Sequence, residues 1–219
     1  MGNTNIKESS LLIASLIISI FSLLVAGAAL YFSHLRKADI KAVLGPQIDV
    51  YHHDYEAGVS TGFIIPVSFV NDSPSTGTVI KAAISIHEKG CEDERFFMQW
   101  LKFDYSDEKS GKWEHEEDAH PIVLGAKSGV HKNLWCMWFA HNSKKLEFNK
   151  GTYEICLHYW TSEKKEPTKV VKTFFVSNEV ADVFGKWRSS KQTNSIKFVL
   201  DKELEYNKLM NSDEFSKLL

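Results

Sequence analysis

One stretch constrains this chain more than any other: between Ser9 and Ser33 there is no charged residue. Leu11–Phe32 reads LLIASLIISIFSLLVAGAALYF and is apolar or small throughout. As a helix it spans roughly 33 Å, against a hydrocarbon core of roughly 30 Å. A helix satisfies its own backbone groups, so such a segment can cross lipid. A helix apolar on every face does not suit the flank of one small domain. Tyr31 and Phe32 stand at its end, where interfacial aromatics are favoured. The expected order is a short tail over residues 1–8, a transmembrane helix over 9–33, and everything else on one side. A cleaved signal peptide is the competing reading, because Ala26-Gly27-Ala28 has the small-x-small form of a cleavage site. Against it, the apolar run continues past that site, and Lys7 is offset by Glu8.

Orientation follows from the flanking cations. Lys7 alone precedes the helix, whereas Arg36, Lys37 and Lys41 follow it. The positive-inside rule then places the C-terminal part in the cytoplasm. Ser15, Ser19, Ser22, Ala26, Ala29 and Ser33 recur at spacings of four and three, so they share one helix face. Small residues let helix backbones approach in lipid. That stripe marks a packing face for a homo-oligomer or for another membrane helix, or arises because Ala, Gly and Ser are common here.

The 219 residues carry 26 Lys and Arg against 28 Asp and Glu, a formal charge of −2. This near balance gives no bulk drive toward nucleic acid. The expected partners are the lipid bilayer and another protein. Cys91, Cys136 and Cys156 are an odd number without C-x-x-C spacing, which suits a reducing compartment.

After a linker over residues 34–46, closed by Gly45-Pro46, the dominant period becomes two, with turn signals about every ten residues. The strands expected are Gln47–Tyr55, a run through Phe63, Ile65, Val67 and Phe69, and a run through Ile80, Ala82, Ile84 and Ile86. They continue with Phe96–Tyr105, Pro121–Leu124, Val130–Ala140, Gly151–Trp160 and Lys169–Val176. Pro66 demotes its strand to an edge or marks a bulge. Ser106–Ala119 reads as a long charged connection. About eight strands with short turns predict an all-β antiparallel sandwich over residues 47–177.

Three runs carry a resemblance: FIIPVSFVNDSPSTGTVIKAAISI, HPIVLGAKSGVHKNLWCMWF, and GTYEICLHYW followed by KVVKTFFVS. They resemble the paired strands of bacterial membrane-anchored immunoglobulin-like domain proteins of unassigned function. The resemblance covers about Gln47 to Ser177 and implies an Ig-like β-sandwich rather than an activity. The inter-sheet disulfide of antibody domains has no counterpart, since Ile64–Val70 offers Cys156 no partner.

Beyond Phe175 the alternation stops, and residues 178–219 read as a helical tail. Asn178–Arg188 is a short helix broken at Gly185. Ile196, Val199, Leu200 and Leu204 approximate one face of a second helix, capped by Asn194 or Ser195. That face either packs on the sandwich or binds a partner.

No P-loop, GxGxxG, GxSxG, HExxH or EF-hand pattern is present. His115, His120 and Glu116 with His52 or His53 form the strongest metal-ligand set, but their spacing matches no closed zinc site. The charged run around His115 and His120 reads as solvated loop. Cys91 beside Glu92, Asp93 and Glu94 is a poor nucleophile, because carboxylates disfavour the thiolate. The expectation is therefore no catalytic residue, no metal and no cofactor. The chain reads as a membrane-anchored binding or adaptor protein. The alternatives are a membrane effector that oligomerises through its helix, and a metal-dependent enzyme using the loop histidines and acidic residues.

Overall fold

The computed structural model describes residues 3–91, 93–107, 109, 113–142, 144–201 and 216, with side chains from residue 12 onward. Helix α1 runs Asn3–Leu30, and one π-helical turn, Tyr31–Leu35, extends it. Leu12–Leu35 is long and apolar enough to cross a membrane, and none of it is buried by the rest of the chain. Two stripe hydroxyls bond within the helix itself. Ser19 Oγ donates to the Ser15 carbonyl at 2.9 Å and Ser33 Oγ to that of Ala29 at 2.6 Å.

Eleven strands follow among the described residues: β1 (Ile40–Leu44), β2 (Gln47–Tyr55), β3 (Gly58–Asn71), β4 (Gly77–Glu88), β5 (Phe96–Ser106), β6 (Trp113–Asp118), β7 (Ile122–Leu124), β8 (Ser128–Trp138), β9 (Gly151–Thr161), β10 (Thr168–Val176) and β11 (Ser195–Val199). Helix α2 (Asn178–Ser189) lies between β10 and β11. All pairings are antiparallel, in the order β10-β9-β4-β5-β8-β3-β2-β11. The sheet wraps until its two ends nearly meet. Just beyond β11, Asp201 N–H donates to the Thr173 carbonyl on β10 at 2.8 Å. The result is close to a barrel, with Val50, Phe63, Ile84, Phe103, Leu134 and Leu157 in its core.

Strand directions give the domain two ends. The segments at 36–39, 71–77, 124–128 and 161–168 share the end next to α1. There Ser75 Oγ donates to the Arg36 carbonyl at 2.8 Å. The segments at 55–58, 88–96, 138–151 and 177–195 form the opposite end.

Several sequence expectations are corrected. The 34–46 linker contains β1, which pairs with β3 from Ile40↔Asn71 to Leu44↔Val67. The charged 106–119 connection contains β6, an edge strand beside β5 whose charged side chains are mostly exposed. Ile80 is 49% exposed and Val79 fully buried, because a bulge between Val79 and Lys81 shifts the inward phase. β3 is not an edge strand. Pro66 sits in the gap where β2 pairing ends at Ile64 and β1 pairing begins at Val67, so its missing N–H costs no ladder bond. α2 continues through Gly185 to Ser189, and its N-cap is Ser177, whose Oγ accepts from Val180 N–H at 3.3 Å.

The tail correction is the largest. Ile196 and Val199 lie in strand β11, not on a helix, and Leu200 is a buried residue just past it. Residue Leu204 lies outside the described residues. The open edge of β2 supplies five ladder partners, and Phe198 turns into the core, so tertiary pairing overrides the helical periodicity.

Candidate functional site

Strand β2 builds two sites at once, because alternate residues face opposite ways. Ile48, Val50 and His52 point inward, while Asp49, Tyr51 and His53 point outward. The adjacent histidines, grouped in the sequence as one set of ligands, therefore serve different surfaces.

The first site is a cavity of about 670 Å³ at the end of the domain away from α1. The β2–β3 turn, the 140–149 segment and α2 line it. Much of its wall is small: Ala57, Gly58, Ala140, Ala181 and Gly185. A Cβ at Gly185 would meet nothing within 4 Å. Arg188 ties the three walls together. Its guanidinium donates to the Leu146 carbonyl and, at 3.5 Å, to that of Val59. Burial lowers the Arg188 pKa, and Glu147 opposes this. Lys145, Glu147, Asn149 and Asp182 complete the polar lining.

His52 lies beneath this cavity, 2% exposed, with Nδ1 3.2 Å from Thr61 Oγ1. Burial, reinforced by the Arg188 charge, pushes its pKa down to about 4, against the pull of backbone groups at Ser60 and Phe184. Its Nε2 is sealed from solvent and completes no hydrogen bond. With its pKa this low, the imidazole is a weak base toward a ligand in the cavity.

The second site is a groove of about 600 Å³ on the outer face of β2, β3, β5 and β8. Trp135 donates its indole N–H to the Tyr51 hydroxyl, and burial raises the Tyr51 pKa. Gly62 makes room for the Tyr51 ring: a Cβ there would stand 2.5 Å from Tyr51 Cζ. Lys102 Nζ lies 4.5 Å from the centre of the Trp135 ring and 3.2 Å from Asp104 Oδ1. Asp104 is buried, and this ammonium is the positive charge beside its Oδ1. Burial pushes the Asp104 carboxyl up, with Lys102 opposing. Asp49 behaves likewise, with Lys197 and the Trp113 side chain opposing. His53, Tyr55, Trp113 and the segment 193–195 complete the groove. Its residues come from five strands and the segment 193–195, so no local spacing announces it.

The proposed metal-ligand set is not assembled. His115 and His120 pair with Asp118 and Glu117 at 3.6 and 3.1 Å, whereas His52 faces the core. Among the described residues no group of three or more His, Cys, Asp or Glu side chains could hold a metal ion. Several hydroxyl–imidazole couples occur; in one, Ser85 Oγ lies 2.9 Å from His158 Nε2, on the outer face of β4 and β9. Burial and the charges of Lys169 and Arg95 lower the His158 pKa, and neither cavity includes the pair. Cys136 and Cys156 are buried with raised pKa values, and Cys91 is exposed.

No family model and no curated protein matches the chain. Among solved structures, an uncharacterised ApaA protein from Bordetella pertussis is similar over 75% of this chain and 96% of that one, at 9% identity and a TM-score of 0.31. A likeness at that level carries no argument about fold or function.

Proposed function

We propose that this chain is a single-pass, membrane-anchored binding protein without catalysis of its own, with its β domain in the cytoplasm. The observation that carries the reading is the cavity at the end of the domain away from α1. It is walled by small residues, rimmed by charges of both signs, and held open by Arg188 bonds to two main-chain carbonyls. Such a cavity at a barrel mouth suits ligand binding. Its one imidazole is a weak base, which favours binding over turnover. The same reading takes the barrel-like sheet as an immunoglobulin-like fold, supported by its all-antiparallel pairing. The cation bias of Arg36, Lys37 and Lys41 supports the orientation.

Filling the cavity tests the proposal. Gly185→Leu places its side chain in open space on a helix, so the variant should fold at least as well as the parent. Native mass spectrometry of the full-length protein, released from lipid nanodiscs, should detect a bound molecule that Gly185→Leu excludes. An identical ligand content in both proteins would overturn the cavity as the binding site.

A further inference from the structure

The aromatic groove stands apart from the end cavity, and its chemistry points to a different ligand. We infer that it is a binding site for neutral pyranose oligosaccharides. Tyr55 is 41% exposed, and Trp113 is half-buried on the β6 arm, so both offer ring surface to the groove. Aromatic faces take the C–H-rich face of a sugar ring, and a concave exposed aromatic surface marks a ligand groove.

The charges select neutrality. Lys102 already lies over Trp135 and beside Asp104, so the groove holds its own cation against its own carboxylate. A cationic ligand would compete with Lys102 for Asp104, and an anionic ligand would compete with Asp104 for Lys102. Either exchange leaves a charge without its partner, which is costly in a partly buried site. Vicinal hydroxyls avoid the exchange because each is both donor and acceptor. They can accept from Lys102 and from the Asn194 amide without taking either away from its own partner. The locked Tyr51–Trp135 pair, seated on Gly62, keeps the floor rigid before a ligand arrives.

The test uses the full-length protein in lipid nanodiscs free of alkyl glycoside detergents, which would themselves compete. Cellotetraose, maltotetraose and N-acetylchitotetraose are titrated by calorimetry and tryptophan fluorescence. At least one should bind saturably. Tyr55→Ala and Trp113→Ala should each weaken that binding by about tenfold, the loss expected for one stacking ring. Tyr55 is exposed enough to be removed without unfolding the domain, and Phe97→Ala, an exposed aromatic that does not line the groove, should leave binding unchanged. The inference is overturned if no saccharide saturates at millimolar concentration, if adenosine or tetramethylammonium binds in its place, or if Tyr55→Ala binds as the parent does. None of these results bears on the end cavity, whose test reads a different ligand and a different variant.

Discussion

The His52 imidazole lies on the Phe184 ring, with centroids 3.9 Å apart and planes 30° from parallel. This contact joins the inner face of β2 to α2, and Phe184 in turn packs on Phe148, 5.6 Å away. The helix over the cavity is thus seated on a titratable group that stays neutral at ordinary pH.

Its consequence is acid sensitivity with a defined sign. The folded pKa, about 4, lies below the unfolded value of 6.5. Between these values the unfolded chain binds the extra proton, so stability is full above pH 6.5 and falls as pH drops toward 4. The loss amounts to about 3 kcal/mol at most. Urea unfolding from pH 7 to 4 should show this slope, and His52→Leu should flatten it. Parallel slopes in both proteins would assign the acid sensitivity elsewhere.

Asp201 fastens the two ends of the sheet. Its carboxylate accepts from Lys172 Nζ at 2.6 Å and from Thr173 N–H at 2.8 Å, while its own N–H bonds back to Thr173. Asp201→Ala should destabilise the domain by about 1–3 kcal/mol. Burial favours the protonated form of Asp201, but Lys172 and Thr173 outweigh it and hold the pKa below 3.8. This contribution is therefore present above pH 3.8 and is lost as pH falls through the lowered folded value. Hydrogen exchange should show faster opening of β10 and β11 in the variant than of β8, and uniform protection would contradict the clasp.

Gly62→Ala probes the floor of the groove. The added methyl must displace the Tyr51 ring, which Trp135 holds in place, so a loss of about 1–3 kcal/mol is expected. Near-ultraviolet circular dichroism should report the change in aromatic packing. A spectrum and midpoint equal to the parent's would mean that the ring has room to move.

Deleting Leu11–Phe32 should move the protein from the membrane pellet to the soluble fraction, since that segment is the apolar span. Retention of the deleted protein in carbonate-washed membranes would show another anchor.

The elements legible in the sequence are the long apolar strands paired on both sides. In β8 and β9, Leu134, Cys136, Ile155 and Leu157 meet the core, while Trp135 and Met137 pack in a second apolar cluster on the outer face. Ile80 was misplaced because a bulge changes phase without leaving any residue that announces it. β6 and β11 hold one edge each and owe their shape to the strand beside them, so their own residues read as charged loop and as helix. The end cavity was invisible for a related reason. It depends on Gly185 and Ala181 being small where α2 crosses the 140–149 segment, and small residues on a helix carry no signal of what they leave empty.

The brevity of the link between α1 and β1 has a mechanical result. Only residues 36–39 separate the π-helical turn from the first strand, and Ser75 pins that link to the domain. With Leu12–Leu35 in a bilayer, the domain cannot swing freely like a ball on a string. β3 then runs from its far turn at Gly58 back toward the lipid, a length of up to roughly 45 Å. The cavity sits at that far end of the strand, so an α1 that crosses a bilayer would leave up to that length of domain between it and the lipid.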